Sequence, residues 1–138
     1  MKWFQKVLIE NYINFSGRAR RQEYWMFVLI WLGIVILIGI LSSFIEEYSE
    51  FTGTSIIIGI FMLATLIPWI ALNVRRLHDT GKSGGYLFIH FIPIVGRIWY
   101  IVLMASAGND FSNKYGPDPK RPDSINEIDE IGKPVLED

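Results

Sequence analysis

Apolar and polar positions divide the chain into five stretches of different texture. Residues 3–15, WFQKVLIENYINF, put Trp3, Phe4, Val7, Leu8, Tyr12 and Phe15 on one side of a helix. Lys2, Gln5, Lys6, Glu10, Asn11 and Asn14 fall on the other. That spacing predicts an amphipathic helix, too polar to span a bilayer and suited to its interface. Residues 24–45 and 55–74 carry no charge at all. At 1.5 Å rise per residue each is about 30 Å long as a helix, the thickness of a bilayer's hydrocarbon core. A helix in a soluble core shows a polar residue every third or fourth position, and these do not. Both are therefore expected to be transmembrane helices. The first is too long, and is followed by Glu46-Glu47-Tyr48 rather than small residues, for a cleaved leader.

The third hydrophobic segment, 85–107, is of another kind. Its apolar side chains favour insertion by about 5 kcal/mol, while Arg97 opposes by about 3 and His90 and Pro93 oppose further. Two forms satisfy this balance. One is a third span kinked at Pro93. The other is a re-entrant hairpin turning at Pro93–Gly96, whose arms of about 12–17 Å are each too short to cross. His90 and Arg97 are the intramembrane polar candidates, seven residues apart and on one face if the helix is continuous. The last stretch, 120–138, is acidic, with few large apolar residues, and is expected to be disordered. The fold expected is thus an all-α membrane protein, with a single multi-pass domain over 1–119.

Charge orients it. Residues 1–23 hold Lys2, Lys6, Arg18, Arg20 and Arg21, residues 46–54 hold three glutamates and no Lys or Arg, and residues 75–84 hold Arg75, Arg76 and Lys82. Short basic loops stay in the cytoplasm, so the N-terminus is expected inside and 46–54 outside. The side occupied by the tail depends on the third segment, with the hairpin placing it inside. Glu23, so close to the bilayer, is expected to pair with an arginine. With no cysteine and only His78 and His90, disulfides, thiol catalysis and histidine-rich metal sites are excluded, and no cofactor is expected.

RRLHDTGKSGG, residues 75–85, concentrates the candidate chemistry. Gly81-Lys82-Ser83 is not a P-loop, because Arg76 stands where the motif needs glycine and a membrane helix replaces the strand. Asp79-Thr80-Gly81 is not an aspartic-protease site, because nothing scaffolds the required dyad. What remains is a compact basic turn. Asp79 is expected to close it by accepting hydrogen bonds from Thr80, Gly81 or an arginine, while Gly81 and Gly84 permit the reversal. Arg18, Arg21, Arg75, Arg76, His78 and Lys82 are candidates for an anion or lipid-headgroup site at the inner interface.

Gly17-Arg18 with Arg21, Glu23 and Trp25, then Arg75-Arg76-Leu77-His78-Asp79 with Gly81 and Ser83-Gly84, then Ile92-Pro93 with Gly96, then Asn113 and Tyr115-Gly116-Pro117-Asp118-Pro119 resemble the domain of unknown function 805 family of small bacterial inner-membrane proteins. The resemblance covers roughly residues 4–119. It implies a multi-pass membrane domain and supplies no catalytic residue, substrate or cofactor. Arg97 departs from the family pattern, and 120–138 extend past it.

Three functions follow as alternatives. The first is a non-catalytic membrane protein acting by association with lipid or another membrane protein. The second is an oligomeric transporter or channel subunit, since segments this few cannot enclose a pore alone. The third is a membrane enzyme acting on lipid headgroups with Arg18, Arg75, Arg76, His78 and Asp79, for which no nucleophile or metal set is present. The partners expected are membrane lipids, anionic ones favoured by the basic clusters, and a second copy or another membrane protein. Nothing points to nucleic acid.

Overall fold

The computed structural model describes residues 2–48 and 53–121. Most of the acidic tail lies outside the described residues. Helix α1, Lys2–Gln5, runs into a π-helical turn, Lys6–Glu10. Helix α2 spans Arg21–Tyr48 and α3 spans Gly53–Asp79, with Pro68 inside it. A 3-10 helix, Gly84–Phe91, and helix α4, Val95–Ala105, follow. No strand occurs among the described residues, and the fold is that of an all-α membrane protein.

The amphipathic helix ends earlier than its apolar periodicity predicts, at Glu10 rather than residue 15. Asn11 is the reason. Its backbone N–H and its side-chain Nδ2 both donate to the Lys6 carbonyl, at 3.0 and 3.1 Å. An asparagine that offers the backbone a side-chain donor competes with the next helical turn, and Asn14 Nδ2 in turn donates to the Asn11 side-chain Oδ1 at 2.8 Å.

Helices α2 and α3 carry their apolar side chains outward. Leu29 is 60% exposed, Leu37 57% and Leu63 70%. A molecule whose greasiest helices face outward has the wrong surface for water and the right one for lipid. This separates the two spans from buried core helices of equal length.

Contacts divide the chain into two compact units. The first takes residues up to 15 with 22–73. Its centre is aromatic: Phe27 lies 5.2 Å from Phe4 and 6.0 Å from Trp69, and Trp31 lies 5.0 Å from Trp69. Trp31 Nε1 donates to Thr65 Oγ1 at 3.0 Å, which satisfies an indole that has no water to turn to. Tyr12 donates to the Ala64 carbonyl. Lys6 Nζ reaches the buried Glu23 carboxylate at 3.3 Å, a partner for Glu23 that the sequence reading did not name.

The second unit takes residues 16–21 and the chain from Val74 onward. Within it the third hydrophobic segment folds back on itself. His90 and Tyr100 would be about 15 Å apart along one continuous helix, yet their rings meet edge to face at 5.4 Å. The reversal is a γ-turn. Ile94 has φ 59° and ψ −69°, and Val95 N–H donates to the Pro93 carbonyl at 2.7 Å. A β-branched residue at positive φ is strained, so the packed arms impose this turn. A single kinked helix is not formed, and His90 and Arg97 do not share a helical face. Both ends of the hairpin lie at the end of α3. A Cβ on Gly84 would stand 3.2 Å from the Val74 methyls, and Arg76 hydrogen-bonds the Met104 and Ser106 carbonyls.

Candidate functional site

The apolar run of α3 stops at Val74, but the helix continues through Arg75, Arg76, Leu77 and His78 to Asp79. Basic residues in its last turn suit the negative end of the helix dipole. The turn that follows is closed by backbone groups, with the Thr80 hydroxyl also donating to the Leu77 carbonyl at 2.9 Å. Lys82 N–H donates to the Leu77 carbonyl and Gly81 N–H to the His78 carbonyl, both at 3.0 Å, with Gly81 at φ 75°. This is a Schellman ending, whose left-handed residue favours glycine.

Asp79 is thereby released from the turn, and its side chain faces inward. Its Oδ1 accepts from Arg18 Nε at 2.9 Å and its Oδ2 accepts from Arg76 Nη1. The side chains of Arg18, Arg76 and Asp79 are 1%, 0% and 6% exposed. An acid at a helix C-terminus is disfavoured by the dipole, and two guanidiniums offset that. The remaining arginine donors go to main-chain carbonyls. Arg18 Nη1 donates to Phe111 O at 2.6 Å and Nη2 to Asn109 O. Arg76 Nε donates to Met104 O at 3.1 Å and Nη2 to Ser106 O. The Asp79 carbonyl accepts from Asn109 N–H at 2.8 Å. One acid and two arginines thus tie together the residues before α2, the end of α3 and the chain after α4. Gly108 passes so close that a Cβ there would run into the Asp79 carboxylate.

His78 belongs to a second clasp beside this knot. Its ring stacks on Tyr115 at 3.7 Å and 5°, and Nδ1 lies 3.2 Å from the Gly17 carbonyl. Asn113 Nδ2 donates to the His78 carbonyl at 2.9 Å. Asp79 therefore faces the arginines and does not orient the imidazole. Among the described residues no group of three His, Cys, Asp or Glu side chains could hold a metal.

The other sequence candidates are dispersed. Arg75 is buried, and its carbonyl accepts from Ala19 N–H at 3.0 Å. Arg21 and Lys82 are exposed, Arg21 reaching the Ala105 carbonyl at 3.4 Å and Lys82 lying over Tyr86 at 5.5 Å. Arg20 donates to the Pro119 carbonyl. His90 and Arg97 are exposed on the hairpin.

Comparison with known proteins places these residues in one family. The profile described as "Protein of unknown function (DUF805)" matches residues 12–117. The chain belongs to the DUF805 family. It is 39% identical over 120 residues to "Inner membrane protein YhaH" of Escherichia coli (strain K12), covering 87% of this chain and 98% of that one. It is likewise 39% identical over 120 residues to "Inner membrane protein YhaI" of the same organism, covering 97% of it. "Uncharacterized protein YiiR" is 25% identical over 132 residues, covering 85% of that protein. No solved structure matches. The family match spans the whole Arg18–Asp79–Arg76 knot of this DUF805 chain and its His78–Tyr115 clasp. The knot's backbone acceptors, at Met104, Ser106, Asn109 and Phe111, escaped sequence reading because a carbonyl is common to every residue.

Proposed function

We propose that this protein is a non-catalytic constituent of the bacterial inner membrane that acts by associating with lipid, and that it holds both its N-terminus and the chain after α4 on the cytoplasmic side. One observation carries the reading: Arg18 and Arg76 are buried and engaged by Asp79 and five carbonyls. Their chemistry is cohesive. The outward chemistry is an apolar belt on α2 and α3, with the exposed cations Arg21 and Lys82 near the helix ends. Such cations attract anionic headgroups by about 1 kcal/mol each near the surface.

The topology is supported by the same contacts. The hairpin 84–105 begins beside Val74 and ends on Arg76, so it enters and leaves at one end of α3. Arg18 and Arg20, just before α2, bind carbonyls of residues 109, 111 and 119. A continuous third span would carry those residues to the opposite side. The basic segments 1–23 and 75–84 favour the cytoplasm for this side.

Two measurements test the reading. A C-terminal reporter that is active only in the periplasm is expected to stay silent, and periplasmic activity overturns the topology. Native mass spectrometry of protein released from membranes is expected to retain phosphatidylglycerol. Combining Arg21→Ala with Lys82→Ala is expected to lower that retention by about tenfold or more, from about 1 kcal/mol per charge. Unchanged retention overturns the headgroup role.

A further inference from the structure

The π-helical turn Lys6–Glu10 shapes a cavity that neither the knot nor the basic loops use. Its volume is about 360 Å³, and Trp3, Gln5, Lys6 and Glu10 line it. In an α-helix Gln5 and Glu10, five residues apart, would point about 140° away from each other. Here Asn11 N–H donates to the Lys6 carbonyl at 3.0 Å, a bond from i+5 to i, and Gln5 and Glu10 share one cavity wall. Turns of this kind are rare and recur at functional sites.

Depth and charge define what the cavity takes. Lys6 Nζ lies 3.3 Å from the Glu23 carboxylate, and Glu23 directly precedes the uncharged run 24–45. The ammonium therefore stands at the level of the lipid headgroups. Glu23 balances its charge, while among the described residues no cation pairs with Glu10. A lysine ammonium has three N–H donors, and the bond to Glu23 uses one. The cavity thus offers a donor to a phosphate and, on the same turn, a carboxylate and a carboxamide to an ammonium, with the Trp3 indole as an apolar wall. A headgroup with a phosphate alone leaves Glu10 without a counter-charge, and a simple amine leaves Lys6 unused. A zwitterion carrying both groups satisfies the two residues together.

We propose that this cavity binds the headgroup of phosphatidylethanolamine, with its phosphate on Lys6 and its ammonium on Glu10 and the Gln5 side chain. The site rests on the lipid-association reading and the cytoplasmic placement given above, and it is separate from Arg21 and Lys82. It selects against phosphatidylglycerol, which has no ammonium for Glu10. The depth set by Glu23 favours the lipid over free phosphoethanolamine as the occupant.

The test uses the full chain in nanodiscs of equal parts phosphatidylethanolamine and phosphatidylglycerol, followed by native mass spectrometry. Wild type is expected to retain both lipids. Glu10→Gln, which keeps the shape of the side chain, is expected to lower phosphatidylethanolamine retention about fivefold, the scale of one exposed ion pair, and to leave phosphatidylglycerol retention unchanged. Arg21→Ala with Lys82→Ala is expected to do the reverse, so failure of the headgroup role and failure of this site are read separately. Equal retention of phosphatidylethanolamine by wild type and Glu10→Gln at matched thermal stability overturns the proposal. Equal loss of both lipids in Glu10→Gln also overturns it. Excess soluble phosphoethanolamine is expected to leave the lipid in place, and its displacement of the lipid overturns phosphatidylethanolamine as the occupant.

Discussion

Asp79→Ala tests the central feature of this fold. The substitution leaves Arg18 and Arg76 as two buried cations without a counter-ion. Their side chains are 1% and 0% exposed, so water cannot screen them where they stand. The five carbonyls around them, from Ala19, Met104, Ser106, Asn109 and Phe111, supply partial negative charge but no net charge. Removing one member of a buried ion pair costs about 3–5 kcal/mol. The value here is expected toward the upper end, because one acid serves two arginines. Asp79→Asn does not rescue it: one amide oxygen can still accept from Arg18, but the other position then sets N–H against the Arg76 N–H. The assay is reversible unfolding in mixed detergent micelles, followed by helical circular dichroism. Limited proteolysis in parallel is expected to cut between residues 106 and 111 first, because those residues are tied down by the two arginines. Tryptophan fluorescence from the Trp31–Trp69 contact in the other unit is expected to persist under conditions where the cuts appear. A loss below about 1 kcal/mol for Asp79→Ala, or no increase in cleavage, would refute the claim that this ion network holds the second unit together.

Gly108→Ala drives a methyl into the same carboxylate and is expected to cost about 1–3 kcal/mol in the same unfolding assay, the range for overpacking. His78→Ala removes the stack on Tyr115 and is expected to cost about 0.5–1.5 kcal/mol. Its proteolytic signature should be confined to the region of residues 110–118, with helix content unchanged. Trp31→Phe keeps the ring packing but deletes the donor to Thr65 Oγ1, for an expected loss of about 1 kcal/mol seen as a lower midpoint on thermal unfolding in detergent.

What the chain's pattern determined alone was everything that depends on transfer between water and lipid. Two uncharged runs of bilayer length specify two spanning helices wherever their neighbours lie, because every residue contributes to insertion independently of contacts. The family was equally legible, since Arg18, the residues 75–79 and Tyr115–Pro119 stand in fixed order along the sequence. The third segment resisted because its insertion terms nearly cancel, which leaves the outcome to contacts: the γ-turn at Ile94 and the meeting of His90 with Tyr100 exist only once the arms have packed. The roles of the arginines were hidden for a related reason. Arg18, Arg21, Arg76 and Lys82 are alike to a sequence reader, all basic and all beside a span. Tertiary structure alone divided them, burying Arg18 and Arg76 against Asp79 and leaving Arg21 and Lys82 outside. A charge announces itself in sequence, but whether it binds its own chain or something else depends on where distant carbonyls and one acid come to rest, and that is a property of the fold.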